Sequence, residues 1–272
     1  EPVSSKYISN VVSVADIDNK NLKVKVGTQN TTSSDVVQIV LKEQNTIVAM
    51  TKGVVGETLE LALADVKLWS PESPFLYDLE VTLLDKGKKT DKVKSYAAMR
   101  KISMHKDKDG IMRMQLNNKD CFQFGPLDQG WWPDGLYTAP TDEALAYDIE
   151  KTKDWGFNMI RKHIKVEPAR WYTHCDRLGI LVWQDMPSGD NSPKWIQYNY
   201  FDGKENERSI ESEENFKKEW REIMDYLMPY PSIVVWVPFN EAWGQFKTKE
   251  IAEWTEYYDP SRLVNPASGG NH

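Results

Sequence analysis

Cysteine is scarce in this chain: two in 272 residues, Cys121 and Cys175, far apart and in no CxxC or Cys/His pattern. That excludes a disulfide-stapled scaffold and a zinc or redox motif, and leaves two thiols expected to be free and mostly buried. Histidine is scarcer than the acids, with four in all, and no His/Asp/Glu set has metal-ligand spacing, so neither a metal nor a cofactor is expected. There is no basic excess. The 41 acidic side chains outnumber the 34 basic ones, and a net charge of −7 argues against non-specific nucleic-acid binding and against attraction to an anionic membrane. No run of 18 apolar residues is present, so no membrane span is expected. No leader opens the chain; Glu1-Pro2 reads as a start left by processing, which is compatible with secretion. Gly269-Gly270 is too short for a phosphate loop, and no nucleophile elbow supports a Ser-His-Asp site.

What is present is a globular composition, 40% apolar and 28% charged, with eleven Trp and twelve Tyr. Flat aromatic faces stack on apolar sugar faces, but they also fill cores. Residues 1–103 read as strands only. Leu22, Val24 and Val26 alternate with lysines, and the same period of two marks Val37 to Leu41, Leu59 to Leu63 and Tyr77 to Leu83. This is the signal of an antiparallel, immunoglobulin-like β-sandwich, here without an inter-sheet disulfide. Asp85 to Lys89 reads as a solvated turn, and Asp109-Gly110 and Asn117-Asn118 as hairpin turns.

From residue 104 the period changes. Short strands are expected at Phe122–Gly125, Phe157–Ile160, Ile180–Trp183, Ile233 onward and Arg262–Val264. Helices are expected between them: one capped by Thr141 and stopped by Gly156, one from Pro168 to Gly179, one on Phe216, Trp220, Met224 and Leu227, and one on Ile251, Trp254 and Tyr258. Alternating strands and helices demand a parallel sheet. A full (β/α)8 TIM barrel takes about 250 residues, so the 156 residues from Asn117 to His272 hold about five units. The pattern fits either an open doubly wound sheet or an incomplete barrel. A truncated barrel would leave edge strands seeking a partner, either a second copy in a homo-oligomer or a C-terminal segment outside this chain.

Ile233–Glu241, IVVWVPFNE, is the most telling stretch. An apolar, β-branched run reads as a strand buried on both faces, and the C-terminal ends of barrel strands carry the chemistry. Glu241 would then stand at the mouth, where Trp236, Phe239 and Trp243 could raise its pKa and keep a proton available. The plainer reading is that Asn240 and Glu241 cap the next helix. The two long connections, 126–140 with Asp128, Trp131, Trp132 and Tyr137, and 186–211 with Trp195, Tyr198, Tyr200 and Phe201, follow strands and could shape a pocket or pack internally. His163, at a strand end, could contact a substrate.

Several segments carry a family resemblance: LWSPESPFLYDLEV (68–81), FGPLDQGWWPDGLYTAP (124–140), FNMIRKH (157–163), CDRLGILVWQDMP (175–187), VVWVPFNEAWG (234–244) and DPSRLVNPASGG (259–270). Together they resemble glycoside hydrolase family 2, the β-galactosidase, β-glucuronidase and β-mannosidase group. The resemblance implies a retaining β-glycosidase acting on terminal β-linked sugars, with two carboxyl groups about 5–5.5 Å apart. Glu241 matches the acid/base, Asn240 the residue that bonds the sugar 2-OH, and Arg161 the arginine that orients the nucleophile. Asp185 matches an acidic residue at the end of strand 3, or else serves as a structural partner for Arg161. Asp128, Trp131, His163 and Trp243 fall where the sugar would lie. The family's nucleophile, a strand-7 glutamate, has no counterpart here, so this chain alone is expected to be inactive. The runs Leu127-Asp128-Gln129 and Lys162-His163-Ile164-Lys165 depart from the β-galactosidase pattern and from its magnesium site. The resemblance also implies polysaccharide breakdown outside the cytoplasm, secreted or periplasmic. The competing reading is a non-catalytic carbohydrate-binding or scaffolding protein, or an adhesion module in which Asn240-Glu241 has no task.

Overall fold

Alternation along the first hundred residues is what folds them. The computed structural model describes residues 3–190, 205–240 and 244–268. Strands β1 (Tyr7–Asp16), β2 (Asn21–Gln29), β3 (Val36–Glu43), β4 (Thr46–Val54), β5 (Thr58–Ala62), β6 (Tyr77–Asp85) and β7 (Lys88–Ala97) form two antiparallel sheets, ordered β1-β2-β5 and β4-β3-β6-β7. Every second residue of β2, β3, β5 and β6 enters one shared core, in which Leu22, Val24, Ile39, Leu61, Tyr77 and Val81 are essentially inaccessible. The polar residues between them face water, as the pleat requires. The β6–β7 hairpin turns at Lys86 and Gly87, with φ of +49° and +80°, the left-handed pair of a two-residue turn. The chain divides into two compact units, Glu1–Lys101 with Leu116–Lys119, and Ile102–Gln115 with Asp120–His272. A hairpin of β8 (Ile102–Lys106) and β9 (Met112–Leu116), extended by the short β10 (Lys119–Asp120), turns at Gly110 and again at Asn117-Asn118, all three with positive φ.

The second half builds a parallel sheet. Its strands are β11 (Leu127–Asp128), β12 (Met159–Lys162), β13 (Leu181–Asp185), β14 (Ile233–Val237) and, after the two-residue β15 (Phe239–Asn240), β16 (Leu263–Val264). The order β11-β12-β13-β14-β16 is sequential. A doubly wound sheet reverses its strand order at a switch point; this one never does, so it is an incomplete (β/α)8 barrel of five strands. Phe239 and Asn240 pair with Ala267 and Ser268 of β17 (Ala267–Ser268) in the same register in which Val235 and Trp236 pair with Leu263 and Val264. Strands 4 and 5 therefore continue past a break where Pro238 and Pro266 have no N–H to give to the ladder.

The first barrel strand, Leu127–Asp128, begins two residues past the end of the expected Phe122–Gly125. Phe122–Gly125 runs beside Asn158 instead, whose side chain takes the Phe124 N–H at 2.9 Å and donates to the Phe122 carbonyl at 2.8 Å. A side chain in the ladder's place keeps this stretch from pairing as a strand.

Among the described residues four helices cover one face of the sheet: α1 (Asp142–Asp154), α2 (Ala169–Leu178), α3 (Ile210–Leu227) and α4 (Thr248–Tyr258). Thr141 accepts the Ala144 N–H and Ser209 the Ser212 N–H, both at 3.1 Å, as N-caps do. Gly179 ends α2 at φ +77°. Phe216, Trp220, Met224 and Leu227 form the buried stripe of α3 and meet Ile233, Trp236 and Phe239 of the sheet. Cys175 is buried in this layer; Cys121 is only half-buried, and neither forms a disulfide. No described helix is long and apolar enough to cross a membrane.

Candidate active site

Alternation along the parallel strands decides which side chains meet. On β12, Ile160 packs with the helices, and so Arg161 points the other way. On β13 Val182, and just past its end Met186, pack with the helices, which sends Trp183 and Asp185 to the opposite face. On β15, Phe239 stacks on Phe216 at 5.1 Å, and Asn240 therefore shares the face of Arg161 and Asp185. Trp236 and Phe239, expected beside Glu241, thus point to the helices. Trp236 meets Trp220 edge-on and donates its indole N–H to Asp259 Oδ2 at 2.9 Å. The cause is the continuous apolar run, which does not declare its faces, together with a register shift between Val182 and Trp183 against this strand.

At the C-terminal ends of the strands, Arg161 binds Asp185 with two parallel bonds, Nε to Oδ1 at 3.0 Å and Nη2 to Oδ2 at 2.7 Å. The same Nη2 donates to Asn240 Oδ1 at 3.0 Å. Ser268 Oγ lies 3.3 Å from that oxygen, and the Ile164 N–H reaches Asp185 Oδ2 at 3.2 Å. One guanidinium thus ties together strands 2, 3 and 4. The Asp185 side chain is fully inaccessible, and burial pushes its carboxyl pKa up while Arg161 and the Ile164 N–H pull against it. A guanidinium can only donate, so Asn240 must turn its oxygen to Arg161 and present its NH2 away from it. Glu241 and Trp243 lie outside the described residues.

Asp128 and His163 form a second group. His163 donates its backbone N–H to the Asp128 carbonyl at 2.9 Å, and its ring Nδ1 lies 3.0 Å from Gln129 Nε2. The Asp128 carboxylate is occupied: Oδ1 accepts the Gly130 N–H at 2.7 Å and Oδ2 pairs with Lys162 at 2.6 Å. Trp131 is 56% exposed and leans on Tyr137, with ring centroids 4.3 Å apart. Asp128 and Trp131 border a cavity of about 490 Å³ together with Tyr147, Lys151 and Trp155.

Sequence reasoning overlooked the group that holds this loop. Lys162 is buried between Glu167 at 2.9 Å and Asp128, over the face of Trp171. Lys165 pairs with Glu167 at 2.9 Å and donates to the carbonyls of Gly130 and Tyr137 at 2.7 and 2.9 Å. A signal existed: Arg161 and Lys162 are adjacent cations in a short apolar strand, so each needs its own partner on its own face. Among the described residues no three His, Cys, Asp or Glu side chains converge as metal ligands. The aromatic residues of the second long connection, Trp195, Tyr198, Tyr200 and Phe201, lie outside the described residues.

Two family models match the chain: "Glycosyl hydrolases family 2" over residues 6–100 and "Glycosyl hydrolases family 2, TIM barrel domain" over residues 137–271. A beta-galactosidase of Lactococcus lactis is 26% identical over 229 residues, which is 79% of this chain and 20% of that protein. A beta-galactosidase of Leuconostoc mesenteroides is 27% identical over 214 residues, 78% of this chain and 19% of its own length. The chain spans about a fifth of these relatives. Among solved structures, the beta-D-glucuronidase of Dictyoglomus thermophilum superposes with a TM-score of 0.80 at 20% identity, covering 96% of this chain and 44% of that one. A beta-glycosidase of Bacteroides vulgatus superposes with a TM-score of 0.76 at 22% identity, covering 95% and 33%.

Proposed function

The chain belongs to glycosyl hydrolase family 2, and from that premise we propose that it carries the acid/base half of a retaining β-glycosidase. Glu241 is the proton donor to the glycosidic oxygen and later the base that activates water. The nucleophile that forms the covalent glycosyl-enzyme comes from outside these 272 residues. The observation that supports this most directly is the Arg161 guanidinium, bonded at once to Asp185 and to Asn240, the residue next to Glu241. Its charge stands at the strand ends, where an ionised nucleophile and a departing alkoxide need stabilisation. The amide NH2 of Asn240, turned away from Arg161, is placed to donate to the sugar 2-OH, a bond that strengthens in an oxocarbenium-like transition state.

The substrate is a terminal β-linked sugar of the β-galactoside type, the activity named for the Lactococcus lactis and Leuconostoc mesenteroides relatives. The matching experiment assays this chain and the full-length gene product on nitrophenyl β-galactoside, β-glucuronide and β-mannoside. We expect turnover by the long form only, with the galactoside preferred. In kcat/KM, which reports the first step, Glu241→Gln should cost the long form about 10²–10⁴-fold on alkyl glycosides, which need acid assistance, and far less on dinitrophenyl glycosides, which do not. Full activity of Glu241→Gln on alkyl glycosides would remove the assignment.

A second reading, a protein that binds glycans without cleaving them, draws on the exposed Trp131, Tyr147 and Trp155 around the 490 Å³ cavity. Calorimetric binding of oligosaccharides by a full-length form that lacks turnover would favour it.

A further inference from the structure

Strand 5 ends beside strand 4, and a hydroxyl there meets the Asn240 amide. In β17, Ala267 packs with the helix layer, so Ser268 points to the opposite face. The backbone of Ser268 is in register with Asn240, as that of Ala267 is with Phe239. Parallel pairing in this register sets the Ser268 and Asn240 side chains next to each other, on the face of Arg161. Ser268 Oγ lies 3.3 Å from Asn240 Oδ1, the oxygen that also accepts from Arg161 Nη2 at 3.0 Å. An amide oxygen only accepts, so the hydroxyl is the donor of this pair. The sheet order puts Arg161 on one side of strand 4 and Ser268 on the other. Two donors thus converge from opposite sides on one oxygen and occupy both of its lone pairs. Among the described residues the Asn240 amide nitrogen has no partner. Asn240 and Ser268 are both half-buried.

We propose that Ser268 is a positioning residue for Asn240: its hydroxyl, acting with the Arg161 guanidinium, fixes the amide plane so that the NH2 is held toward the sugar 2-OH. The end torsion of an asparagine is broad and roughly two-fold, so one donor on the oxygen leaves the plane free to tilt. A second donor from the other side removes that freedom. A flipped amide is excluded as well, because its NH2 would face a guanidinium that has no lone pair to accept it. The bond from Asn240 to the 2-OH strengthens as the oxocarbenium-like transition state forms, so a tilted amide costs rate and not only affinity. Ser268 has no contact with the sugar in this scheme. It acts only through Asn240, and its effect exists only for substrates that carry the 2-OH.

The proposal rests on the reading of Asn240 as the donor to the 2-OH. Its test uses the full-length protein with nitrophenyl β-galactoside and nitrophenyl 2-deoxy-β-galactoside, comparing Ser268→Ala, Ser268→Thr and Ser268→Val with Asn240→Ala. We expect Ser268→Ala to lose about three- to tenfold in kcat/KM on the galactoside, the scale of one neutral hydrogen bond, and less than about twofold on the 2-deoxy sugar. Ser268→Thr, which keeps the hydroxyl, should stay within about twofold of wild type. In the Asn240→Ala background Ser268→Ala should add nothing, because a positioning residue has no effect once the group it positions is gone. Equal losses on both sugars, or a full further loss in the double variant, would overturn the proposal and leave Ser268 a strand-pairing residue only. If Ser268→Ala fails to fold, Ser268→Thr against Ser268→Val carries the same comparison, since the two differ by a hydroxyl in place of a methyl; equal rates for them would also overturn it. Failure of the underlying reading is seen separately, as Asn240→Ala losing as much on the 2-deoxy sugar as on the galactoside. The leaving group is the same throughout, so the outcome is independent of the role of Glu241.

Discussion

Arg161 reaches past its own ladder partner to find its counter-ion. Its backbone pairs with Trp183, yet its guanidinium holds both carboxylate oxygens of Asp185, two residues further along the neighbouring strand. That upward reach brings the charge to the strand ends and within 3.0 Å of Asn240.

Because the fork has two parallel bonds and a third to Asn240, lysine cannot replace it. Arg161→Lys keeps the charge but loses the planar geometry, and we expect a loss of at least about tenfold in full-length turnover with a modest loss of stability. Arg161→Met leaves the fully buried Asp185 without its cation and should cost about 3–5 kcal/mol, read by urea denaturation. Wild-type stability in Arg161→Met would contradict the pairing.

Gly130 sits at φ +63°, where a Cβ would lie 2.4 Å from Glu167 Oε1 and 2.7 Å from Lys165 Nζ. Gly130→Ala therefore has to push apart the ion pair that holds the Trp131 loop. The expected cost is about 1–3 kcal/mol, together with faster proteolytic nicking between residues 130 and 137.

Arg262 offers the contrast of a buried arginine with a purely structural task. It pairs with Asp259 at 2.7 Å and donates to the carbonyls of Ile233, Met228 and Tyr230 at 2.9, 2.8 and 3.0 Å. Burial alone would raise the Asp259 carboxyl, but Arg262, Ser261 and Trp236 hold it well below the usual range. Arg262→Met should destabilise by about 3–5 kcal/mol and leave leaving-group dependence untouched in whatever full-length enzyme still folds. A selective loss on alkyl glycosides would show that this arginine also acts on the chemistry.

In the sandwich, Glu80 lies between Lys92 at 2.8 Å and Lys42 at 2.9 Å, which lower its pKa from 4.5 to about 2. Because the folded value is the lower one, the unfolded chain binds the extra proton between pH 4.5 and about 2. Stability from this group is therefore complete above pH 4.5 and disappears as pH falls toward about 2. Wild type should exceed Glu80→Gln in denaturation midpoint at pH 7, and the gap should close across that acid window. A gap that stays constant down to pH 2 would rule out the ionised pair as its source.

The sandwich was legible because only one face of each strand is buried: a period of two at Leu22–Val26 or Tyr77–Leu83 states which side chains enter the core. The helices were legible from Thr141, Gly179 and the stripe Phe216–Leu227, where caps and the 3.6 period agree. The first barrel strand was misplaced because Asn158 occupies backbone groups that the sequence pattern assigns to a ladder. The orientation of Trp236 and Phe239 was hidden because a strand buried on both sides has no polar face to mark it. The Lys162–Glu167–Lys165 group was hidden because lysine is ordinarily read as a solvated residue.

By itself the sequence determined the kinds of element, the order in which they follow one another and the presence of an Asn-Glu pair after a buried apolar run, since propensity, caps and periodicity act over a few residues. Only the tertiary structure decided that the five strands pair in sequential order, and with it that Arg161 meets Asp185 across 24 residues and Asn240 across 79. Backbone hydrogen bonds between strands are the same whatever side chains flank them. Which strands become neighbours is therefore settled by the packing of the whole sheet against its helices, and the convergence of these three polar groups follows from that packing.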